Sequence, residues 1–221
     1  MRDKWNLQGI GMTSQRTRDR MVARLREQGI THAELLQVMI RLPRHIFIDD
    51  ALSHRAYEDV SLPIGFQQTI SQPWIVAKMT ELLLEQPERP KRVLELGTGS
   101  GYQTAVLASL FAQVFSIERI GSFQDKARAR FSALKLNNIT LRHGDGYQGW
   151  PAKGEFDAIL ITAAPEFVPE ALLEQLAPNG CIILPLGAEQ QKLVRVTKTE
   201  SGSQIETITD VKFVPLVAGV A

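Results

Sequence analysis

Residues 93–102 read Val-Leu-Glu-Leu-Gly-Thr-Gly-Ser-Gly-Tyr, and they say more about the architecture than any other stretch of this chain. An apolar run leads into three alternating glycines, Gly97, Gly99 and Gly101, and a segment of helical composition follows. Glycine permits a sharp turn and lets a ligand approach the backbone closely. The helix behind the glycines offers unpaired N–H groups and a partial positive charge. The stretch therefore predicts a strand, a ligand-binding loop and a helix.

The spacing of the glycines separates two classes of nucleotide ligand. A dinucleotide loop has glycines at its first, third and sixth positions, whereas the sixth position here is Tyr102. The glycines instead occupy the first, third and fifth positions, and Glu95 stands two residues before the first. This pattern resembles the S-adenosylmethionine loop of class I methyltransferases, whose ligand has a cationic sulfonium and an amino-acid end. The loop alone leaves a nicotinamide cofactor, or a tight turn without a ligand, as alternatives.

The segments around the loop alternate between two hydrophobic patterns. Runs typical of buried strands cover residues 92–96, 114–118, 139–143, 158–162 and 181–185, and helical patterns cover residues 102–111, 122–136 and 169–176. This alternation predicts an α/β fold with a doubly wound, mostly parallel, Rossmann-like sheet that is covered by helices on both faces. Beyond residue 187 the alternation stops, and the pattern predicts a hairpin of strands 193–198 and 204–209 and a last strand at 212–217.

The first 90 residues show mainly helical and irregular patterns. Helical periodicity covers residues 14–28, and Thr31 with Glu34 forms a candidate capping box for a second helix. Residues 44–72 show no clear period, and Pro73 is typical of the first turn of a third helix. We expect one domain over residues 1–221. It comprises an N-terminal helical and substrate-site extension (1–90), a cofactor-binding core (91–187) and C-terminal antiparallel strands (188–221).

Composition and charge exclude several classes of function. Of 221 residues, 44% are hydrophobic and 22% are charged, which is ordinary for a globular domain. The formal net charge is +1, so no overall positive field is available for nucleic acid or anionic lipid. The single cysteine, Cys181, is typical of a reducing compartment, and no signal peptide or long apolar run is visible. We expect a cytoplasmic monomer with neither a nucleic acid nor a membrane as partner, and no metal, since the histidines lack ligand spacing.

Two further acidic residues follow predicted strands. Glu118 ends the strand after the glycine loop, where a carboxylate can accept hydrogen bonds from ribose hydroxyls. Asp145 follows the third strand of the sheet and can accept from an adenine amino group. A solvated strand end and a plain Gly-Asp-Gly turn are the respective alternatives. The predicted cofactor-binding residues are Glu95, Gly97, Thr98, Gly99, Gly101, Glu118, Asp145 and Gly146.

Segments outside the glycine loop resemble one family of methyltransferases, the protein-L-isoaspartate O-methyltransferases. They include Arg-Ala-Tyr-Glu-Asp at 55–59, Leu-Pro-Ile-Gly at 62–65, Gln-Thr-Ile-Ser-Gln-Pro at 68–73, His-Gly-Asp-Gly at 143–146, Phe-Asp-Ala-Ile at 156–159, Thr-Ala-Ala-Pro at 162–165 and Phe-Val-Pro-Leu at 213–216. The resemblance implies methyl transfer from S-adenosylmethionine to the free carboxylate of L-isoaspartyl residues in damaged proteins and peptides, which initiates repair through a succinimide. A methyltransferase of another, small-molecule acceptor and a cofactor-binding module without activity are the alternatives.

The same resemblance implies a substrate site. It places the catalytic serine at Ser71, whose position just before Pro73 equally fits a helix N-cap. The substrate-binding residues that we expect are Ile64, Gly65, Gln68, Thr69 and Val214. Val214 would offer backbone hydrogen bonds to an extended peptide, and a core strand is its alternative.

Overall fold

The computed structural model describes residues 6–221, and its central feature is a seven-stranded sheet flanked by helices. The helices are α1 (Gln15–Glu27), α2 (Ala33–Arg41), α3 (Pro73–Leu84), α4 (Tyr102–Ala108), α5 (Gly121–Ala133) and α6 (Glu170–Glu174). The strands are β1 (Leu62–Gly65), β2 (Gln68–Ile70), β3 (Arg92–Leu96), β4 (Gln113–Glu118), β5 (Ile139–His143), β6 (Phe156–Ile161), β7 (Leu176–Leu186), β8 (Gln191–Thr199) and β9 (Gly202–Val211). The first five residues of the predicted domain lie outside this description.

The strand order of the large sheet is β5-β4-β3-β6-β7-β8-β9. Strands β3 to β7 are parallel to their neighbours, whereas β7, β8 and β9 pair antiparallel. The chain runs outward from β3 to β5 and then returns to the other side of β3, so the winding reverses there. In open sheets of this kind, ligands bind at the carboxyl ends of the strands beside such a reversal. The predicted fold class is confirmed.

The central parallel strands β3, β4 and β6 are buried on both faces, which explains their continuous apolar runs, whereas the edge strand β5 is partly exposed. Along β3, Val93 packs with the N-terminal helices, whereas Leu94 and Leu96 pack on the opposite face with α6. Glu95 shares the face of Val93 because successive side chains of a strand alternate. Within residues 6–221, no helix combines the length and apolarity needed to cross a bilayer.

The predicted capping box at Thr31 and Glu34 is wrong. His32 is the N-cap of α2, and its Nδ1 accepts a hydrogen bond of 3.4 Å from the Leu35 N–H. The Thr31 N–H donates to Glu81 Oε1 of α3 at 2.7 Å, and the His32 N–H donates to the same oxygen at 3.0 Å. A buried carboxylate on a neighbouring helix therefore takes the place of the local cap.

The stretch 44–72, for which no periodicity is visible, contains two 3-10 helices (Arg44–Phe47 and Asp50–Arg55) and the β1–β2 hairpin. Phe66 and Gln67 form the hairpin turn with φ of 50° and 57°. Neither is a usual turn residue, so the sequence carries no hairpin signal. Helix α3 begins at Pro73 as predicted.

The C-terminal strands agree with the predictions except for the last one. Strands β8 and β9 form the expected hairpin, but residues 212–217 form no strand and make a single bridge, between Pro215 and Ala164. The Gln191 side chain hydrogen-bonds to both the N–H and the carbonyl of Phe213. Pro215 has no N–H to donate. The segment is extended, yet it cannot continue a ladder.

Candidate active site

A cavity of about 760 Å³ lies at the carboxyl ends of β3, β4 and β6. Its walls are the glycine loop with its approach (96–100), the residues after β4 (118–120), the β2–α3 segment (68–72) and the C-terminal segment (210–217). Four stretches that are distant in the sequence therefore meet around one space. Its volume is that of a small-molecule site.

Hydrogen bonds from the ends of two neighbouring strands, β4 and β6, hold the glycine loop in place. The Gly97 N–H donates to the Ile117 carbonyl at 2.8 Å, and Thr162 Oγ1 donates to the carbonyls of Leu96 and Gly97 at 2.9 Å each. At Gly97, φ is +93° and an added Cβ would lie 2.3 Å from Thr162 Oγ1. Only glycine therefore suits this position, because any side chain would collide with Thr162.

Glu118, a predicted cofactor-binding residue, lies on the cavity wall. Its side chain is 5% exposed, and Oε2 accepts from the Gly99 N–H at 2.8 Å while Oε1 accepts from the Ile120 N–H at 2.9 Å. Each carboxylate oxygen has a second lone pair. Glu118 can therefore hold the glycine loop and still accept hydrogen bonds from a diol.

Glu95 does not reach the cavity, contrary to the expectation that it meets the cofactor directly. It is fully buried, and Oε2 accepts from Ser116 Oγ at 2.6 Å and from Thr104 Oγ1 at 2.5 Å. Ser116 Oγ lies 2.6 Å from Oγ1 of Thr98, which lines the cavity. Burial raises the pKa of the Glu95 carboxyl to about 8. Glu95 thus supports the loop from behind, because strand alternation points it at α4.

Asp145 also turns away from the cavity. Its Oδ1 accepts from the Tyr147 N–H at 2.9 Å and its Oδ2 from the Gly219 N–H at 2.8 Å. The neighbouring Gly146 does line the cavity, opposite Leu216. The carboxylate therefore shapes a turn and holds the C-terminal segment, which agrees with the alternative of a Gly-Asp-Gly turn. Gly101 likewise lies behind the cavity wall, where it is the N-cap of α4 with φ of +88°.

The predicted substrate residues gather on the wall that faces the glycine loop. Ile64, Gln68, Thr69 and Ser71 line the cavity, whereas Gly65 lies outside its lining. The Ser71 carbonyl accepts from Arg44 Nη2 at 2.7 Å, and the Ser71 hydroxyl makes no hydrogen bond within residues 6–221. The N-cap of α3 is Gln72, without a side-chain cap bond. The alternative of Ser71 as the N-cap is therefore wrong.

Val214 lines the cavity, but its carbonyl is already engaged. It accepts from the Ala164 N–H at 2.8 Å, and the Ala164 carbonyl accepts from the Leu216 N–H at 2.8 Å. This pairing holds the C-terminal segment over the end of β6. Of the two backbone groups of Val214, the carbonyl is thus committed to the protein rather than to an extended peptide.

Sequence reasoning missed two arginines behind the cavity, Arg44 and Arg130. Arg44 is fully buried, and Arg130 donates from Nη1 to the Ser100 carbonyl at 2.9 Å. The apolar run at 46–48 that follows Arg44 is a weak indication that this segment is buried. Arginines in most positions face solvent, whether in an irregular segment like Arg44 or in a helix like Arg130 of α5, so the sequence pattern does not single these two out.

A sheet reversal, a glycine loop at its carboxyl edge and a carboxylate at the end of the next strand are common to dinucleotide-binding folds and class I S-adenosylmethionine-dependent methyltransferases. The glycine spacing at 97, 99 and 101 favours the methyltransferase class. The family model for protein-L-isoaspartate(D-aspartate) O-methyltransferases matches residues 16–221. The chain belongs to this family.

Similar proteins agree with that assignment. The chain is 56% identical over 222 residues to a protein-L-isoaspartate O-methyltransferase of Saccharophagus degradans, covering 99% of both chains. It is 53% identical to the one of Cellvibrio japonicus, covering 97% of both. A Plasmodium falciparum structure with bound S-adenosyl-L-homocysteine, described as an enzyme of this kind, superposes with a TM-score of 0.79 at 26% identity and covers 90% of this chain and 98% of its own.

Proposed function

We propose that this chain transfers a methyl group from S-adenosylmethionine to the free carboxylate of L-isoaspartyl residues in damaged proteins and peptides. The observation that carries this proposal is the shared cavity, in which the glycine loop faces the segment with Ser71. The relatives at 53–56% identity, named for this activity, support the same reaction.

The residues around the glycine loop fit an S-adenosyl ligand. Because Gly99 has no side chain, the space between the loop and Ile64 stays open. An added Cβ would fill part of it, at 3.4 Å from Ile64 Cδ1. Glu118 has lone pairs for ribose hydroxyls, and Thr98 and Gly146 complete this wall. We propose these four residues, with Gly97, as the cofactor contacts. When bound, S-adenosylmethionine supplies the methyl group on a sulfonium sulfur and leaves as S-adenosylhomocysteine. The proposal includes no metal ion.

The substrate carboxylate needs orientation rather than activation. A carboxyl group of this kind has a pKa near ~4, so it is ionised at neutral pH and no general base is required. The Ser71 hydroxyl lies on the cavity wall without a protein partner among the described residues, and we assign it the role of fixing the reacting carboxylate by a hydrogen bond. Near-attack geometry requires reacting atoms ~3–3.5 Å apart. Gln68, Thr69 and the Val214 N–H are the proposed contacts of the substrate backbone.

Apolar side chains from several walls of the cavity exclude water. Ile64, Trp74 and Phe213 line the cavity beside Ser71. An anion and a cation react to give neutral centres, so charge disappears in the transition state and a dry cavity favours the reaction.

The repair that follows needs no further residue of this chain. The backbone nitrogen after the esterified residue attacks the ester carbonyl, and methanol leaves with the nitrogen's proton. The resulting succinimide hydrolyses in part to normal aspartate. We propose that the chain acts as one domain (1–221) and as a cytoplasmic monomer on damaged proteins, rather than on nucleic acid or at a membrane. The net charge of +1 and the single cysteine support this setting.

The test is methyl transfer from labelled S-adenosylmethionine to two peptides that differ only in one linkage. One carries L-isoaspartate and its twin carries normal aspartate. We expect label in the isoaspartyl peptide alone, released as methanol by mild base. Absence of label from both peptides, with S-adenosylhomocysteine still bound, would transfer the assignment to another acceptor.

A further inference from the structure

Two arginines and two aromatic rings form a continuous stack behind the cavity. The guanidinium carbon of Arg44 lies 4.7 Å from the centre of the Tyr102 ring, and the Tyr102 and Phe47 rings meet edge to face at 5.4 Å. The guanidinium carbon of Arg130 lies 5.7 Å from the centre of the Phe47 ring. We call these four residues the arginine–aromatic stack. Cations over aromatic faces are attracted by the ring quadrupole.

The stack ties both sides of the site to one rigid unit. Arg44 donates from Nη2 to the carbonyl of Ser71 on the substrate side, at 2.7 Å, and from Nε to the Ala56 carbonyl at 2.8 Å. Arg130 donates from Nη1 to the carbonyl of Ser100 in the glycine loop, at 2.9 Å. Each guanidinium therefore reaches the backbone of a residue that lines the cavity.

Among the described residues, the charge of Arg44 has no direct counter-ion. Arg44 is fully buried, and its Nη1 has no hydrogen-bond partner in residues 6–221. Within residues 6–221, neither arginine of the stack forms an ion pair with a carboxylate. The nearby Asp59 carboxylate accepts instead from the Trp74 N–H and from Gln28 Nε2. Burial lowers the pKa of Arg44 to about 10, so the group stays charged at neutral pH. A buried charge without a partner is costly to the fold.

We propose that Arg44 is a charge-selecting positioning residue, which favours an anionic substrate group at Ser71 from directly behind that residue. The inference rests on the proposed function, because it takes the isoaspartyl carboxylate as the anion. Two other cations, Arg119 and Lys212, line the cavity itself. Lys212 is exposed and Arg119 Nε is bonded to the Gly219 carbonyl, at 3.4 Å. Water and salt screen an exposed charge strongly, whereas they screen a buried one weakly.

The experiment compares a charged ligand with a neutral one. The probes are an isoaspartyl peptide and its isoasparaginyl twin, in which the carboxylate is an amide, and their Kd values are measured calorimetrically with S-adenosylhomocysteine bound. We expect the wild type to prefer the charged peptide. In R44M this preference should fall about tenfold, equivalent to about 1.4 kcal/mol, and in R44K most of it should remain.

Control variants separate this role from simple support of the fold. R92M removes a guanidinium that lies 4.9 Å from the Phe115 ring centre, at the amino end of β3, and should leave the preference unchanged. K212M should also retain it. Equal weakening of both peptides by R44M would reduce Arg44 to a structural residue, and loss of the preference in K212M would assign the selection to Lys212. If R44M bound S-adenosylhomocysteine more weakly but still preferred the charged peptide, the Arg44 charge would act on cofactor binding and not on the substrate carboxylate.

A measurement on the wild type covers the case in which R44M fails to fold. Selection by a buried charge predicts that the preference for the isoaspartyl peptide survives an increase of salt from about 0.05 to 0.5 M, since screening acts mainly on exposed charges. Loss of the preference in high salt would overturn the proposal. Methylation of the isoaspartyl peptide by the wild type is scored separately, so failure of the proposed function is distinguishable from failure of this inference.

Discussion

The substitution Glu95→Gln tests the buried group behind the glycine loop. Gln keeps the shape of a protonated Glu, and its carbonyl oxygen can accept the hydrogen bonds that Ser116 and Thr104 donate to Oε2. It cannot ionise. The variant therefore removes the proton equilibrium of this site and retains its packing.

The magnitude follows from the raised pKa. Burial raises the pKa of Glu95 from its ordinary 4.5 to about 8. Between these values the folded state holds a proton that the unfolded state has released, so the contribution of Glu95 to stability is full below pH 4.5 and is lost as pH rises toward 8. At about 1.4 kcal/mol per pH unit, this loss amounts to about 5 kcal/mol. Gln at this position should abolish it.

The assay is urea unfolding at intervals between pH 5 and pH 8.5. We expect the free energy of unfolding of E95Q, relative to the wild type, to rise by several kcal/mol across this range. Glu81 provides a control that should not respond in this range: burial raises its pKa, but hydrogen bonds from the Thr31 and His32 backbone outweigh this and the net pKa is lowered. Its contribution is complete above pH 4.5 and is lost only below that pH, so the difference between Glu81→Gln and the wild type should stay constant from pH 5 to pH 8.5. Parallel pH profiles for E95Q and the wild type would refute the reasoning.

Three further predictions concern single positions. Ser71→Ala removes one positioned hydrogen-bond donor and should lower kcat at least about tenfold, with S-adenosylhomocysteine affinity unchanged. Ser53→Ala, outside the cavity lining, should leave kcat unchanged, and normal turnover of Ser71→Ala would remove the catalytic role. Gly101→Ala should lower the thermal midpoint of unfolding more than Gly154→Ala. Both glycines have positive φ, but only at Gly101 would the added Cβ meet a neighbour, the Phe131 ring at 2.9 Å. Equal shifts would contradict this. Burial raises the pKa of Cys181 to about 12, so its thiol should react with a thiol reagent at pH 8 only after unfolding. Fast labelling of the folded protein would contradict the buried position of this thiol.

The sequence predicts the sheet and its loop well because each rests on a local signal. Strands β3 and β5 begin and end at the predicted residues. For β3 the signal is a short buried run with clear breaks, and for the partly exposed edge strand β5 it is the alternation of Ile139 and Leu141 with polar residues. The glycines at 97, 99 and 101 place the loop without reference to other segments. The comparisons with known proteins confirm the predicted family.

The direction in which a side chain points is harder to predict. Glu95 and Asp145 stand at the expected ends of strands, yet one faces α4 and the other holds Gly219. A sequence position next to a loop does not specify which of two faces a carboxylate occupies. The burial of Arg44 and the Phe66-Gln67 turn are not predicted for a related reason. Their conformations depend on partners that are distant in the chain, such as Ser71 and Phe123.

The wide separation of the cavity walls along the chain has a consequence for biosynthesis. The lining begins at Ser61 and ends at Val217, and the central strand β3 meets its partner β6 only after more than fifty intervening residues. On the ribosome, the glycine loop emerges long before Thr162 and the C-terminal segment that enclose it. Such non-local pairing is intrinsically slow, and a nascent chain emerges from its N-terminus. The binding site therefore cannot be complete until the C-terminal segment has been synthesised, so cofactor binding requires the whole chain from the β1–β2 hairpin to residue 217.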